Sequence, residues 1–443
     1  MTNLAPYPVV HMKKLVTILL FAVFVFTSKA QNVNKLIKEK NVSKIIHTLA
    51  SDEMRGRSAL APQDINKAAD FIEKQFKKAG LSPLPGLTGY RQEFQKVKLT
   101  LTNLDVIIAG KRIPQDYLLL SSKAELINLN EETPIDTIGK SQPLFPTLSS
   151  IERKGGNKIV LVAKEHEANF KIAKDYLGRP KILDPGASST GSILYILGHE
   201  STADISIRAS QSKETITMAN VVGVLPGKSR PDEHVIFSAH YDHIGIQPSV
   251  AGDSIANGAD DDASGTTAVI ALAKYFSKIK SNERTLIFAA FTAEEIGGYG
   301  SKYFSQQLEA DKIIAMFNIE MIGKASKWGQ NAAFITGFER SDFGTILQKN
   351  LEGTTFQIHP DPYPEQNLFY RSDNATLARL GVPAHSISTD QIPTDPYYHT
   401  VDDEVATLDM ANITAAVRGI ALSAKTIVAG SDTPTRVDKS QVN

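Results

Sequence analysis

The sequence contains no cysteine and no excess of charge of either sign. Its 48 lysine and arginine residues are balanced by 48 aspartate and glutamate residues. Without cysteine the chain cannot form disulfide bonds, use a catalytic thiol, or hold zinc or an iron–sulfur cluster through thiolates. Any metal must therefore be bound by histidine, aspartate and glutamate. Without a basic surplus the chain also lacks the composition of a nucleic-acid-binding protein, whose phosphate contacts require one.

A hydrophobic run long enough to cross a membrane is also missing. The apolar stretch Leu15–Phe26 is shorter than the about 20 residues that a transmembrane helix needs. It follows the basic segment Met12–Lys14 and precedes Ser28–Ala30, which has a small residue at each end. This order is typical of a cleaved secretory signal. We therefore predict a signal peptide over residues 1–30, with Met12 as a second candidate start, export to the periplasm or the medium, and no membrane span after cleavage.

From Thr215 onward the sequence alternates apolar segments with amphipathic ones. The segments expected to form strands are strongly apolar, as in a sheet covered on both faces: Val221–Leu225, Val235–Ala239, Thr285–Phe291, Ile313–Ile319 and His385–Ser388. The expected helices are Thr266–Lys278, Gly300–Leu308, Asp342–Leu351 and Met410–Val428. This alternation predicts an α/β three-layer sandwich, in which helices flank a mostly parallel, mixed central sheet.

The rest of the chain predicts a second, smaller domain. Residues 31–98 have a mainly helical pattern, whereas residues 99–205 consist of short β-prone runs separated by turn residues. We expect residues 31–98 and 206–430 to form the main domain. Residues 99–205 would then be an inserted β-rich domain, and the polar residues 431–443 a flexible tail.

Side chains that can bind metal gather where the predicted strands end. In an open α/β sheet, ligands bind outside the carboxyl ends of the strands. Each group alone has an ordinary structural explanation, such as a helix N-cap for the three aspartates. Together and in this order they favour a metal site. In chain order they are His240 with Asp242 and His243, Asp260 to Asp262, Glu294 with Glu295, Glu320, and His399.

This set of side chains suits two divalent ions that lie close together. Such a pair needs a bridging carboxylate, further histidine and carboxylate ligands, and an open position for water. Imidazole and carboxylate without thiolate fit zinc in a catalytic site, although manganese and cobalt accept the same ligands. Of the adjacent Glu294 and Glu295, one could bind metal while the other takes a proton from water. Neighbours on an extended strand point opposite ways, so the pair requires a turn, for which Gly297 and Gly298 are suited.

The order of these motifs resembles the co-catalytic two-zinc exopeptidases. That family includes secreted bacterial leucyl aminopeptidases, plasma glutamate carboxypeptidase and, more distantly, glutaminyl cyclases. The earlier segment HTLASDEMRGR (residues 47–57) also resembles the usual start of the family. The motifs that carry the resemblance are HYDH (240–243), GADDDASG (258–265), FTAEEIGGYGS (291–301), NIEMIG (318–323) and PYYHTVDDE (396–404).

The resemblance implies a role for each matching residue. Glu294 would be the general base, and Asp242 would orient His240 by accepting a hydrogen bond. The implied activity is that of an exported zinc aminopeptidase, which hydrolyses N-terminal residues from peptides while Glu294 passes a proton to the leaving amine. The implied ligands of the first zinc are His240 and Glu320. Those of the second zinc are Glu295 and His399, and Asp261 would bind both ions.

The sequence departs from the family pattern at two positions. Most aminopeptidases of the family have Asp where this chain has Glu320, although the glutamate carboxypeptidase-like branch also uses Glu there. Asn374 replaces a histidine of the family, so that histidine's substrate contact is not carried over. Within the predicted insert, Lys158–Val162 and Gly186–Leu194 are faintly similar to the protease-associated domain, which is thought to shape substrate access.

Three alternatives to an aminopeptidase stay open. A dipeptidase or carboxypeptidase would use the same metals but recognise a free carboxylate, for which Arg371 and Arg379 are candidates. A glutaminyl cyclase-like transferase needs only one zinc, and a non-catalytic binding module on the same scaffold would lose ligands. The complete ligand set argues against these last two.

Overall fold

The computed structural model describes residues 33–187 and 191–442, so the predicted signal peptide lies outside the described residues. The chain forms two compact units. One contains the chain up to Glu93 and again from Met218, and the other is Phe94–Thr217. The sequence places these borders at residues 99 and 205 instead. Each border lies inside a long strand, Arg91–Ile108 at the first and Ser206–Leu225 at the second, so no loop marks it in the sequence.

The helices and strands alternate along most of the chain. After a helical turn at residues 33–36, the helices are α1 (Glu39–Leu49), α2 (Pro62–Ala79), α3 (Leu144–Lys154), α4 (Glu167–Leu177), α5 (Gly265–Ile279), α6 (Tyr299–Gln306), α7 (Phe343–Asn350), α8 (Asn374–Ala378), α9 (Met410–Ser423) and α10 (Lys425–Val428). Among the described residues, none of these helices combines the length and the apolar character needed to cross a bilayer. The strands are β1 (Ser82–Pro83), β2 (Arg91–Ile108), β3 (Lys111–Arg112), β4 (Leu118–Ser122), β5 (Ile135–Ile138), β6 (Lys158–Val162), β7 (Lys181–Leu183), β8 (Ser192–Leu197), β9 (Ser206–Leu225), β10 (Arg230–His240), β11 (Gly245–Val250), β12 (Asp253–Ala256), β13 (Arg284–Phe291), β14 (Ile313–Ile319), β15 (Ala332–Ile335), β16 (Gln357–Pro360) and β17 (Ala384–Ser388).

The first unit is built on a mixed sheet with a parallel centre. Its strands follow the order β16-β15-β17-β14-β10-β13-β9. The four neighbours β17, β14, β10 and β13 are parallel to one another, whereas β9 and β15 run antiparallel to their neighbours β13 and β17. The predicted α/β fold with a mostly parallel central sheet is therefore confirmed.

Helices cover both faces of this sheet, which explains why its central strands are apolar throughout. All residues of β13 are buried. On β10, Val235 and Phe237 face a core that includes side chains of α1, α2, α5 and α9, while Ile236 faces a second core with side chains of α6 and α8. The ring of Phe237 stacks on Phe288 and Phe317 of the neighbouring strands at centroid distances of 5.5 and 4.8 Å. This packing fixes the strand ends that carry the site.

The second unit is rich in strands, as expected, but it also contains two helices that the sequence does not predict. Its four-stranded sheet has the order β4-β8-β6-β5, in which β5, β6 and β8 are parallel. The helices α3 and α4 pack on one face through Leu148, Ile151 and Phe170, against Val160 and Tyr195 of the strands. Each helix has only 11 residues, and few apolar positions in so short a segment leave its periodicity hard to recognise.

The end of the chain is packed against the first unit, whereas the sequence predicts a flexible tail. Val437 is 3% exposed, and Arg436 donates to the carbonyl oxygen of Ile313 at 2.8 Å. The buried Arg284 on β13 donates to the carbonyl of Asp432 at 2.6 Å and to the hydroxyl of Thr433 at 2.5 Å. The polar composition of this segment conceals these contacts, because polar side chains and a backbone carbonyl make its hydrogen bonds and only a few apolar groups are buried.

Replacing Arg284 tests this anchor. In Arg284→Met we expect the free energy of unfolding to fall by about 2–4 kcal/mol, because the carbonyls of Ile427 and Asp432 and the carboxylate of Glu233 lose a buried donor. Chemical denaturation would measure the change. The control Lys312→Met removes an exposed ion pair with Glu309 and should leave stability unchanged. Equal stability of both variants would contradict the anchoring role.

Candidate metal centre

The carboxyl ends of the parallel strands bring the predicted ligands to one edge of the sheet. His240 is the last residue of β10 and lies level with Phe291, the last residue of β13. Glu294 and Glu295 lie in the turn after β13, and Glu320 directly follows β14. The register of parallel strands therefore collects these side chains without any long-range loop.

One group of side chains surrounds the ring of His240. Its Nε2 atom lies 3.1 Å from an oxygen of Glu320 and 3.2 Å from Oδ1 of Asp261. The neighbouring Asp262 is also close enough to share a cation with His240 and Glu320. His240 is completely buried, and Asp261 is 2% exposed.

A second group lies on the other side of Asp261. Nε2 of His399 is 3.2 Å from Oδ2 of Asp261 and 3.0 Å from Oε2 of Glu295. The two oxygens of the Asp261 carboxylate thus face two different histidines, each accompanied by a further carboxylate. This is the arrangement that a bridging ligand between two cations requires.

The hydrogen bonds of His240 show that the site suits a cation. Its Nδ1 atom lies 3.1 Å from the carbonyl oxygen of Asp242, which can only accept. Nδ1 therefore carries the proton, and in the neutral ring the lone pair of Nε2 faces the oxygens of Asp261 and Glu320. Acceptors that face one another are favourable only when a proton or a metal ion lies among them. A set of imidazoles and carboxylates without thiolate fits a divalent ion such as zinc.

The electrostatics agree with this interpretation. Burial lowers the pKa of His399, but its hydrogen bonds to Asp261 and Glu295 outweigh that effect and raise the pKa to about 10. Burial likewise opposes protonation of His240, yet Glu320 and Asp261 hold its pKa well above the usual value. Both histidines thus lie in a strongly negative field, which favours positive charge at their Nε2 atoms.

Glu294 and Glu295 have different surroundings. The carboxylate of Glu295 faces two histidines, whereas Glu294 is held through its backbone, whose N–H donates to Oδ1 of Asp242 at 3.1 Å. Burial raises the pKa of Glu294 well above its usual range; His240 opposes the shift and Glu320 adds to it. The predicted turn is present, since the N–H groups of Gly297 and Gly298 donate to the carbonyl of Glu294 at 2.9 and 3.0 Å.

Asp242 orients its neighbours differently from the expectation. Its carboxylate lies 3.8 Å from Nδ1 of His240, and the shorter contact of that ring, 3.1 Å, is with the backbone carbonyl of Asp242. The carboxylate instead accepts from the N–H of Glu294. The carboxylate and the carbonyl of this single residue therefore position the first histidine and the predicted base.

His243, whose role the sequence does not predict, also contacts the second group. Its Nδ1 atom is 2.7 Å from Oε1 of Glu295 and 3.9 Å from Oδ2 of Asp261. His243 is 1% exposed, and its Nε2 has no hydrogen-bond partner among the described residues. The available signal is the repeat of histidine three residues after His240 at a strand end.

Buried polar contacts hold the loop that carries Asp261. The carboxylate of Asp403 accepts from the N–H groups of Asp260 and Asp261 at 3.0–3.1 Å. Asp262 accepts from the N–H of Met321 at 3.1 Å and of His240 at 3.3 Å, and so ties the loop to two strand ends. These contacts fix the bridging carboxylate.

A buried arginine from the N-terminal segment completes this support. The guanidinium of Arg57 donates to the carbonyl oxygens of Tyr241, Asn257 and Gly258 at 2.5–2.9 Å. It also donates to Leu49 at 2.7 Å, which connects these loops to α1. Arg57 lies in the segment that resembles the start of the family, but only the folded chain reveals this contact.

Glu320 and Asn374, the two positions that depart from the family pattern, both form hydrogen bonds with neighbouring residues. Glu320 accepts a 2.5 Å hydrogen bond from the hydroxyl of Ser372, which fixes the carboxylate oxygen that does not face His240. Asn374 is fully buried and bonds to the backbone of Phe369 and the hydroxyl of Ser386. Its amide therefore supports the fold next to Glu320.

The chain is similar to known metallopeptidases. Over 204 residues it is 32% identical to a protein named probable leucine aminopeptidase from Arthroderma benhamiae, an alignment that covers 43% of this chain and 51% of that protein. The chain thus spans about half the length of the curated relatives it matches. The match to the family described as Peptidase family M28 extends over residues 220–424.

Solved structures share the fold over most of the chain. An aminopeptidase from Aneurinibacillus sp. strain AM-1 superposes with a TM-score of 0.55 and 20% identity, over 94% of this chain and 98% of that one. A zinc aminopeptidase from Bacillus subtilis gives a TM-score of 0.54 and 17% identity, over 92% and 99%. The family match contains every residue of the two groups around Asp261, so the segment that carries the site is similar to peptidase family M28.

Proposed function

We propose that the chain is a zinc-dependent aminopeptidase with two metal positions that share the carboxylate of Asp261. The observation that carries the proposal is the approach of the two Asp261 oxygens to His240 and His399, at 3.2 Å each. Glu320 completes one position and Glu295 the other. Relatives named leucine aminopeptidase and zinc metalloprotease support both the metal and the reaction.

The residues of the site divide into those that hold metal and one that moves a proton. Bound zinc supplies Lewis acidity and lowers the pKa of a water molecule toward about 7. Glu294 accepts the proton of that water and donates it to the leaving amine. It suits this role because it lies near His240 and Glu320 but belongs to neither group of ligands, and because its raised pKa makes it a stronger base towards water.

A carboxypeptidase or dipeptidase is the second candidate, and one observation favours it. Arg371 lines a pocket that also contains Glu320 and Tyr398, so a guanidinium is available near the ligands to bind a free carboxylate. The other arginine considered, Arg379, is an exposed residue at the end of α8. Two complete groups of ligands argue against a cyclase-like enzyme with one zinc and against a non-catalytic module.

Export is part of the proposal and rests on the sequence. The basic, apolar and small-residue segments in the first 30 residues have the order of a cleaved secretory signal. We therefore infer that the mature enzyme acts in the periplasm or the medium on peptides.

The direction of attack is tested with short peptides offered free, N-acetylated or C-amidated. We expect hydrolysis that a chelator abolishes and zinc restores, and that N-acetylation prevents while C-amidation leaves it intact. Release of the first residue would be followed by mass spectrometry. Cleavage that survives acetylation but is lost on amidation would assign the protein to the carboxypeptidase alternative.

The division between ligands and base is tested by metal content. Glu294→Gln should keep two zinc ions per chain while kcat falls by about 10²–10⁴-fold, because only the proton transfer is removed. His399→Ala should bind fewer than two ions, since the position that Glu295 completes loses one of its two histidines. Metal analysis together with kinetics distinguishes the two variants. Equal loss of zinc in Glu294→Gln would show that base and ligand have been exchanged.

Export is tested by fractionation of a Gram-negative host that produces the full-length chain. We expect mature protein that begins at Gln31 in the periplasm or the medium. The control is a chain without residues 1–30, which should stay in the cytoplasm. Full-length protein that remains cytoplasmic with residues 1–30 uncleaved would refute the signal peptide.

A further inference from the structure

Lys324 lies between the two loops that carry Asp261 and His399. Its Nζ atom is 3.2 Å from Oδ2 of Asp260, the residue directly before Asp261. The same atom is 2.6 Å from Oδ2 of Asp395, on the segment that leads to His399. One ammonium group thus joins the loop of the shared carboxylate to the loop of a histidine that faces it.

The first of these contacts is held in place by buried hydrogen bonds. Asp260 is completely buried, and its Oδ1 accepts from the N–H of Gly323 at 2.7 Å and from the hydroxyl of Ser264 at 3.2 Å. Lys324 follows Gly323 directly, and its own carbonyl accepts from the side-chain amide of Asn412 at 2.7 Å. The backbone of Lys324 and the carboxylate of Asp260 are therefore fixed relative to each other.

The second contact reaches the turn that presents His399. The side chain of Asp395 is 2% exposed, and its Oδ1 accepts from the N–H of Tyr397 at 3.0 Å. The ammonium of Lys324 also lies 5.3 Å from the ring centroid of Tyr397, within the range of a cation–π contact. The next ring, that of Tyr398, stacks on His399 with the centroids 3.9 Å apart. Lys324 thus holds the start of a short turn whose end is His399.

The charges around Lys324 favour this contact. Carboxylate oxygens of Asp260, Asp390 and Asp395 lie within 4.8 Å of one another, close enough to surround one cation. Burial raises the pKa of Asp390 to about 8, and Asp260 and Asp395 add to the shift, so that at neutral pH Asp390 is protonated and donates to Asp395. Burial opposes the charge of Lys324, but Asp260 and Asp395 outweigh it and raise its pKa. The cation at this cluster is therefore the ammonium of Lys324.

The loops of Asp261 and His399 depend on Lys324 to different degrees. Asp261 keeps the hydrogen bond from its N–H to Asp403 whether or not the ammonium is present. The segment before His399 is held mainly by contacts within itself. Examples are the N–H of Asp395 with the carbonyl of Gln391 at 3.1 Å, and the hydroxyl of Thr400 with the carbonyl of Tyr397 at 2.8 Å. Loss of the ammonium would therefore release His399 more than Asp261.

We propose that Lys324 is a positioning residue for the metal position of Glu295 and His399, and that it acts by keeping His399 beside Asp261. The proposal rests on the function proposed above, because it needs both metal positions. Lys324 cannot be a ligand itself, since an ammonium group has no lone pair to offer. Residues that orient metal ligands typically change metal affinity by about 10–100-fold when they are removed.

The test compares Lys324→Met with the matched control Lys158→Met. Lys158 forms an ion pair with Asp136 in the second unit, and its side chain is 22% exposed against 20% for Lys324. In Lys324→Met we expect one zinc ion to bind as in the wild type and the other at least about 10-fold more weakly, measured by competition with a chelator. Hydrolysis should return at excess zinc, because every ligand is still present. The control should bind both ions as the wild type does.

A second variant covers the case in which Lys324→Met does not fold. Asp395→Asn removes the ion pair with Lys324 but keeps the shape of the side chain and an acceptor for the N–H of Tyr397. It should also weaken the binding of one zinc ion and leave that of the other unchanged.

The other outcomes separate the two proposals. Unchanged binding of both ions in the folded variants would overturn the positioning role and leave the proposed function intact. A parallel loss of both ions would also overturn it, because a general structural role of Lys324 predicts no difference between the two metal positions. A wild type that binds no zinc would remove the proposed function itself.

Discussion

The position of the Asp261 carboxylate is the constraint on which the site depends. Its two oxygens face His240 and His399, so a displacement of this residue would disturb both groups of ligands at once. The structure holds the loop of Asp261 from three directions. Asp403 accepts from its backbone, Asp262 ties it to two strand ends, and Arg57 binds the adjoining carbonyls. Several buried hydrogen bonds near the sheet edge thus hold the carboxylate of Asp261 in position.

The sequence predicts those parts of the site that depend on local order. His240, Glu295 and Glu320 can be found because each follows an apolar strand, and parallel strands bring their carboxyl ends together. The contact of His243 with Glu295 and that of Arg57 with Gly258 depend on tertiary proximity. The spacing from His240 marks His243 only as a candidate, and nothing in the spacing marks Arg57, which lies 201 positions before its acceptor.

The same distinction holds for the fold. The central strands are predictable because burial on both faces makes them uniformly apolar, as in Thr285–Phe291. The helices of the second unit are short, and α3 contains Pro146 in its first turn, which is compatible with a helix but is also typical of a loop. The packing of the chain end depends on a few buried groups such as Val437 within an otherwise polar segment. Composition averaged over that segment conceals them.

The contacts of Arg57 also show that the segment matched by the family, residues 220–424, depends on a residue outside it. Residues 220–424 contain every ligand, yet the guanidinium that binds the carbonyls of Tyr241, Asn257 and Gly258 comes from before the second unit. A polypeptide trimmed to the family segment would keep all its ligands but leave these carbonyls without their donor. The family match therefore covers less of the chain than the hydrogen bonds that support the metal centre. During synthesis, Arg57 is made long before Tyr241, Asn257 and Gly258. Its hydrogen bonds to their carbonyls can therefore form only after this later part of the chain has been made.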